Sequence, residues 1–186
     1  MRTWRYVVPI LVVALIGACG HQKTDATKAS DALAAGLKAH AAGQLVTAAE
    51  KYHETLALDP NNKYAYFDLG VIDQSQGQTA AAEGNYRTAL GIDPKFTPAL
   101  FNLAIIRTPT DPAEAISLYQ QVIAVNPNDA DAHLNLGFVL KSTGKTSEGD
   151  AELSRAVQID PALQSRITPP QPTAAGTPSA PTTTRP

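Results

Sequence analysis

The 186-residue chain has a single cysteine, Cys19, so neither an internal disulfide nor a multi-thiolate metal site can form. Charge is also sparse, with 15 Lys and Arg against 17 Asp and Glu and a formal net charge of −2. A field this weak gives no steering onto nucleic acid, and no nucleic-acid partner is expected. The sequence contains no Gly-rich phosphate loop and no Gly-x-Ser-x-Gly elbow, which removes two common frames for catalysis. His21, His40, His53 and His133 share no register and have no cysteine partner, so they read as surface residues. His40 and His53 could face one another across a helix pair, but with no carboxylate beside them they make a poor metal site. Asp59, Asp93 and Asp160 read as turn residues rather than acid–base pairs. No catalytic residue, metal or cofactor is expected.

What the chain does have is apolar residues, 44% of the total, with alanine-rich stretches punctuated by 12 Gly and 14 Pro. That is enough to bury a core, and it is the composition of closely packed helices separated by turns. An all-α fold is expected.

The position of Cys19 gives it a meaning. Arg2 and Arg5 open the chain, an apolar run follows from Val7 to Ile16, and Gly17 and Ala18 immediately precede the cysteine. This is the layout of an export signal. The run is short of the about 20 apolar residues needed to cross a ~30 Å hydrocarbon layer. Leu15-Ile16-Gly17-Ala18-Cys19 resembles a bacterial lipobox, which implies cleavage after residue 18, acylation of the Cys19 thiol and an exported protein anchored by lipid to the membrane of the cell envelope. An ordinary signal peptide with an incidental cysteine, or a short uncleaved anchor, are the alternatives. Without residues 1–18 the chain keeps 13 basic and 17 acidic residues, net −4. Residues 19–28 read as a linker.

Four prolines recur after similar lead-ins: Leu58-Asp59-Pro60, Ile92-Asp93-Pro94, Val125-Asn126-Pro127 and Ile159-Asp160-Pro161, at separations of 34, 33 and 34. Ala48, Ala82, Ala115 and Gly149 stand twelve residues before them, and Tyr52, Tyr86, Tyr119 and Leu153 stand eight before. Gly36, Gly70 and Gly137 lie further upstream, with Ala104 in the third place, and Gly43, Gly77 and Gly144 mark inner turns. A fixed period of this length is the mark of stacked helix pairs. Small residues such as Gly70 and Ala82 let paired helices approach, Tyr86 fills the space toward the next unit, and each proline begins a new helix after a turn.

On these residues the chain resembles the tetratricopeptide repeat. The resemblance implies a right-handed α-solenoid of four helix-turn-helix units at 29–62, 63–96, 97–129 and 130–163, acting as a protein-binding module. The third unit departs from the pattern, with Thr108-Pro109-Thr110-Asp111-Pro112 in place of a glycine turn. The first has Ala35 where the others have Leu69, Leu103 and Leu136, so its first helix is expected to pack loosely. Residues 164–186 read as a disordered tail, since the 19 residues from Thr168 hold six prolines and six threonines and offer too little apolar surface to offset ordering. The threonines are either glycosylated or part of a plain flexible extension. With no polar capping helix expected after the fourth unit, Leu153, Val157 and Leu163 are left as an exposed apolar end through which the chain could self-associate.

Helical periodicity on the first helix of each unit separates a side meeting its partner helix from a side lining a concave groove. The groove side carries Tyr64, Phe67, Asp68, Val71 and Gln74 in the second unit. Across units this gives an apolar row of Phe67, Phe101 and Leu134, a second of Leu37, Val71, Ile105 and Phe138, and a polar row of Asp68, Asn102 and Asn135. Such a surface suits a partner protein or extended peptide, because Asn side chains both donate to and accept from a peptide backbone while apolar pockets hold alternate side chains. The alternative is that the aromatic residues cement adjacent units. Tyr64, Pro98 and Asp131 occupy the places where a carboxylate-clamping lysine would stand. Three functions remain open: an envelope adaptor, a self-associating structural lipoprotein, and an enzyme or glycan-binding factor.

Overall fold

The computed structural model describes residues 24–167. The segment expected to be an export signal, with Cys19, and the Thr/Pro segment from Thr168 lie outside the described residues. Eight helices follow one another as four pairs: α1 (Asp25–Ala41) and α2 (Leu45–Leu58), α3 (Lys63–Ser75) and α4 (Thr79–Ile92), α5 (Thr97–Arg107) and α6 (Pro112–Val125), α7 (Ala130–Ser142) and α8 (Thr146–Ile159). A 3₁₀ turn, Pro161–Leu163, and a short α9 (Gln164–Ile167) close the chain. Each of α1 to α8 packs on its neighbours in sequence, which makes an all-α solenoid.

Two kinds of turn alternate. Within a pair, Gly43 and Gly77 at φ 74° and Gly144 at φ 85° take the left-handed conformation that ends the first helix, a position where a side chain is strained. Between pairs, the Asp or Asn before each proline folds back on the chain. The Oδ1 atoms of Asp59, Asp93, Asn126 and Asp160 accept from the backbone N–H two residues on, at 3.0–3.3 Å. Pro60, Pro94 and Pro127 therefore sit inside the turn rather than opening a helix, since α3, α5 and α7 begin three residues after them, whereas Pro161 opens the 3₁₀ turn. Asn62 and Asp129 supply the cap instead, accepting from Ala65 N at 3.1 Å and Ala132 N at 2.9 Å. The third unit turns without glycine. Asp111 N donates to Arg107 O at 2.7 Å, and Asp111 Oδ1 caps Glu114 N at 3.0 Å. The Arg107 side chain then ties the turn to Asp111, to Glu114 and, at 3.5 Å, to Glu83 of the preceding unit.

The core forms where a tyrosine meets a glycine. Tyr52, Tyr86 and Tyr119 are buried, and a methyl group built on Gly36 or Gly70 would lie 2.6 Å from the ring of Tyr52 or Tyr86. Each ring thus lies almost on the backbone of its partner helix. Leu69 joins Tyr52 and Ala48 of the preceding unit in one cluster, and Leu103 joins Tyr86, Ala82 and Ala89 in another. That position faces the unit before it. In the first unit, with no earlier pair among the described residues, Ala35 is exposed.

The loose packing expected of the first helix is absent, because Ala29, Ala32, Gly36 and Ala39 form a buried stripe of small residues that brings α1 close to α2. This helix starts at Asp25, inside the stretch read as linker. At the other end, ordered structure continues past residue 163. Leu163 is buried against Leu134, Leu153 and Ala156, with Ile167 packed beside them, so Leu153 and Leu163 are covered and Val157 is half-buried. The apolar end expected from sequence is partly covered by α9 and the turn before it, which leave a cleft of about 390 Å³ lined by Leu153, Val157 and Ile167.

Two paired outcomes follow from this packing. Gly70→Ala lowers the urea midpoint by the equivalent of about 1–3 kcal/mol, because the buried Tyr86 ring has nowhere to move. Gly84→Ala, whose added methyl meets nothing within 4 Å in mid-α4, raises stability by about 0.5–1 kcal/mol. Leu163→Ala costs about 2–3 kcal/mol and removes hydrogen-exchange protection from α7 and α8 before α1 to α4. Uniform loss of protection along the chain would contradict the capping role.

Candidate functional site: the groove along the first helices

Two neighbouring clefts run along the first helices. One, of about 440 Å³, is lined by Leu33 and Leu37 of α1, Tyr64, Phe67 and Asp68 of α3, and Phe96 and Pro98 at the start of α5. The other, of about 270 Å³, shares Phe67 and Pro98 and continues over Phe101 and Asn102 to Asp131 of α7. No side chain of a second helix lines either cleft. The open face is therefore built by α1, α3, α5 and α7 alone.

The three predicted rows have different fates. Leu37, Ile105 and Phe138 are 48%, 39% and 40% exposed and Val71 is half-exposed, so the second apolar row is open to solvent along all four units. Tyr64 is 50% exposed at its edge. Together these account for most of the exposed large apolar side chains among the described residues.

The first row is mostly cement. Phe67 packs edge-on to Phe96 at 5.4 Å and tilted against Tyr86 at 5.8 Å, and Phe101 stands edge-on to Tyr119 at 5.6 Å. Both rings keep one side on the clefts. Leu134 does not. It has no exposed surface and lies under Leu163 and Leu153, so its place in the groove is withdrawn, because the C-terminal turn covers it.

The polar row is tied to the buried tyrosines, a connection that reading single helices misses. Tyr86 Oη donates to Gln74 Oε1 at 2.7 Å and accepts from Asn102 Nδ2 at 3.3 Å. Gln74 therefore belongs to this latch rather than to the groove. Asn102 joins the third unit to the second while one edge faces the second cleft, and Asn135 is the half-buried equivalent on α7. At the first interface only the in-unit half of this pattern is present, with Tyr52 Oη sharing a hydrogen bond with His40 Nδ1 at 3.3 Å. Burial pushes the Tyr52 and Tyr86 hydroxyls up to about 12. The spacing of 12 residues between His40 and Tyr52, repeated between Gln74 and Tyr86, was the available signal.

Asp68 differs from its row. It is half-buried in the wall of the apolar cleft, and among the described residues its side chain makes no hydrogen bond or ion pair. Burial pushes its carboxyl up to about 6, with nearby His40 pulling the other way.

The histidines fall in separate places. His53 is exposed and does not meet His40. His133, read as a surface residue, is buried between Glu152 Oε2 at 2.6 Å and Pro127 O at 3.2 Å, where it fastens α7 to α8 and to the preceding turn. Among the described residues no three His, Cys, Asp or Glu side chains gather as metal ligands would.

Family models described as tetratricopeptide repeat match residues 26–95 and 130–163, and one described as TPR repeat matches residues 113–144. No curated protein matches the sequence. Similar solved structures include "Crystal structure of MamA", 19% identical with a TM-score of 0.67 over 75% of this chain and 82% of that one. Another is "MamA RS-1 ArsTM double mutant", 15% identical with a TM-score of 0.65 over 77% and 80%. At these identities the likeness is one of fold. Three family matches, the 34-residue period and four stacked helix pairs together identify the folded part of this chain as a tetratricopeptide-repeat solenoid, a scaffold for protein–protein interaction.

Proposed function

We propose that this protein is an exported bacterial lipoprotein, anchored through Cys19, whose solenoid is a non-catalytic adaptor that grips an extended segment of a partner protein in the groove of its first helices. The observation carrying this reading is the solvent-facing row Leu37, Val71, Ile105 and Phe138 beside two joined clefts. Continuous apolar exposure on a soluble surface has a cost in water that a partner removes. A groove with aromatic walls and the amide of Asn102 at its floor suits a chain lying extended, with side chains entering alternately. The anchor rests on the basic start, apolar run and small residues before Cys19. It would hold the groove at a membrane of the envelope, where assembly, secretion or pilus-type complexes need such adaptors. Self-association through the fourth unit is the second reading, which the cleft of about 390 Å³ lined by Leu153, Val157 and Ile167 keeps available.

Two measurements test the two halves of this reading. Cys19→Ala moves the protein out of the membrane fraction, and a variant that remains wholly membrane-bound refutes the lipid anchor. In crosslinked affinity purification from membranes, the double variant Ile105→Ala and Phe138→Ala loses the partner recovered with the native chain. Both side chains are about three-fifths covered, so the double variant costs about 1–3 kcal/mol, and its circular dichroism is compared with that of the native chain to show that the fold persists. Equal recovery would remove the groove as the binding surface.

A further inference from the structure

The clefts differ from an ordinary apolar groove in their charge. Their charged liners are Asp68, Asp129 and Asp131, and no Lys or Arg lines either one. Two of these acids already have partners: Asp129 caps Ala132 N at 2.9 Å, and Asp131 pairs with Arg166 at 2.9 Å. Lys63, at the rim of the first cleft, lies over the Tyr64 and Phe96 rings at 5.2 and 5.0 Å and is paired with Asp93. Asp68 remains, half-buried among Leu33, Leu37, Tyr64, Phe67 and Phe96.

The other units show what a purely structural residue does at this place. Asn102 uses its amide N–H to reach the Tyr86 hydroxyl. An ionised carboxylate has no such donor, and the Tyr52 hydroxyl beside Asp68 is bonded to His40. Among the described residues Asp68 makes no inter-unit hydrogen bond like that of Asn102 and holds a partly desolvated carboxylate with only the His40 ring nearby to favour its charge, an arrangement that a cation from outside would stabilise.

Resting on the groove reading above, we infer that the Leu33–Phe96 cleft takes an extended segment carrying an apolar side chain next to an arginine or lysine, with the apolar group filling the cleft and the cation meeting the Asp68 carboxylate. A charge-assisted hydrogen bond in an apolar wall is strong and directional, so Asp68 selects the ligand while Tyr64, Phe67 and Phe96 hold it. The ionisable groups around Asp68 are His40 of α1, Tyr52 of α2 and Tyr86 of α4, with Asn102 of α5 on the far side of Tyr86. Neither hydroxyl ionises below pH 10. Between pH 8 and 5 the carboxyl of Asp68, which burial pushes up to about 6, is the group that changes the charge of the cleft wall. Affinity for a cationic segment falls as acid neutralises the carboxylate.

The test uses the full chain, held in mild detergent, and a random peptide library displayed on phage at pH 7.5. Enriched peptides should carry Arg or Lys beside Leu, Phe or another apolar residue. By fluorescence polarisation such a peptide should lose about tenfold or more in affinity both when its basic residue becomes Gln and when the protein carries Asp68→Asn. Asp68→Asn should also raise the melting temperature at pH 7.5, because the unpaired charge is gone. With a raised folded-state pKa, the penalty is present above pH 6 and disappears as pH falls toward 4, so the advantage of the variant shrinks over that window. A merely structural Asp68 would give lower stability and unchanged binding.

Peptides that lose binding to the double variant Leu37→Ala and Tyr64→Ala, yet show no basic preference and ignore Asp68→Asn, overturn the charge inference and leave the groove in place. Peptides indifferent to both the Leu37/Tyr64 and the Ile105/Phe138 variants overturn the groove itself. A more than tenfold gain in affinity on removing residues 168–186 identifies the chain's own tail as the occupant and overturns the external partner.

Discussion

The seating of a tyrosine ring against a glycine is the contact on which the solenoid depends. Tyr52 on Gly36 and Tyr86 on Gly70 fix how closely the two helices of a pair approach, and a methyl group at either glycine would overlap the ring. The same rings reach the following unit, since Tyr86 shares a cluster with Leu100 and Leu103. One side chain thus sets both the spacing within a pair and the stacking of pairs. In a repeat array stability is the sum of each unit's own packing and its contacts with its neighbours, so this contact, repeated, gives the array its continuity. The fourth unit uses Leu153 on Gly137 for the same purpose, and the Pro161–Leu163 turn covers the end.

The tyrosine hydroxyls carry that order to the functional face. A buried hydroxyl without a partner would be costly, and the partner of Tyr86 on the groove side is Asn102. The groove floor is therefore the outer layer of the core. Phe67 and Phe101 play the same double part, with one side on the buried tyrosines and the other on the clefts. A ligand meets a surface whose rotamers are already held, which lowers the entropy lost on binding. The choice between cement and contact surface is thereby dissolved for these two rings. It stands for Leu134, which only cements, and for Ile105, whose side chain is exposed.

The sequence carried the repeat and the pairing of helices plainly, because periodic Ala, Gly, Tyr and Pro each have a local steric reason. It carried the outer apolar row almost as well, since 3.6-residue periodicity decides which way Ile105 and Phe138 point. What it hid depended on contacts between units. Ala35 looked like a weak core residue, whereas its position only matters where an earlier unit packs on it. Leu134 looked like Phe67 and Phe101 until Leu163 came to lie on it. His133 looked incidental because Glu152, 19 residues away, and the Pro127 carbonyl meet only after α7 and α8 pair. The proline positions were legible but slightly misread. An Asx turn adds three residues before the next helix, and a fixed φ at proline suits the turn as well as it suits a helix start.

Placement of the cations gives the groove its sign. Arg87 bridges Glu83 and Glu114, Arg107 gathers Glu83, Asp111 and Glu114, Lys63 takes Asp93, and Arg166 takes Asp131. Arg87–Glu114 and Arg107–Glu83 join the second unit to the third, and neither crosses the groove floor. Exposed ion pairs contribute about 0–1 kcal/mol each, too little to decide stability. Their effect is on register and on the distribution of charge: each holds a cation beside an acid, Arg87 and Arg107 away from the clefts, and no Lys or Arg lines the groove floor. With the net charge close to zero the distant field is weak, so a ligand is not drawn from afar. Discrimination falls to the short-range meeting of a cation with Asp68, in an apolar cleft where water screens it least.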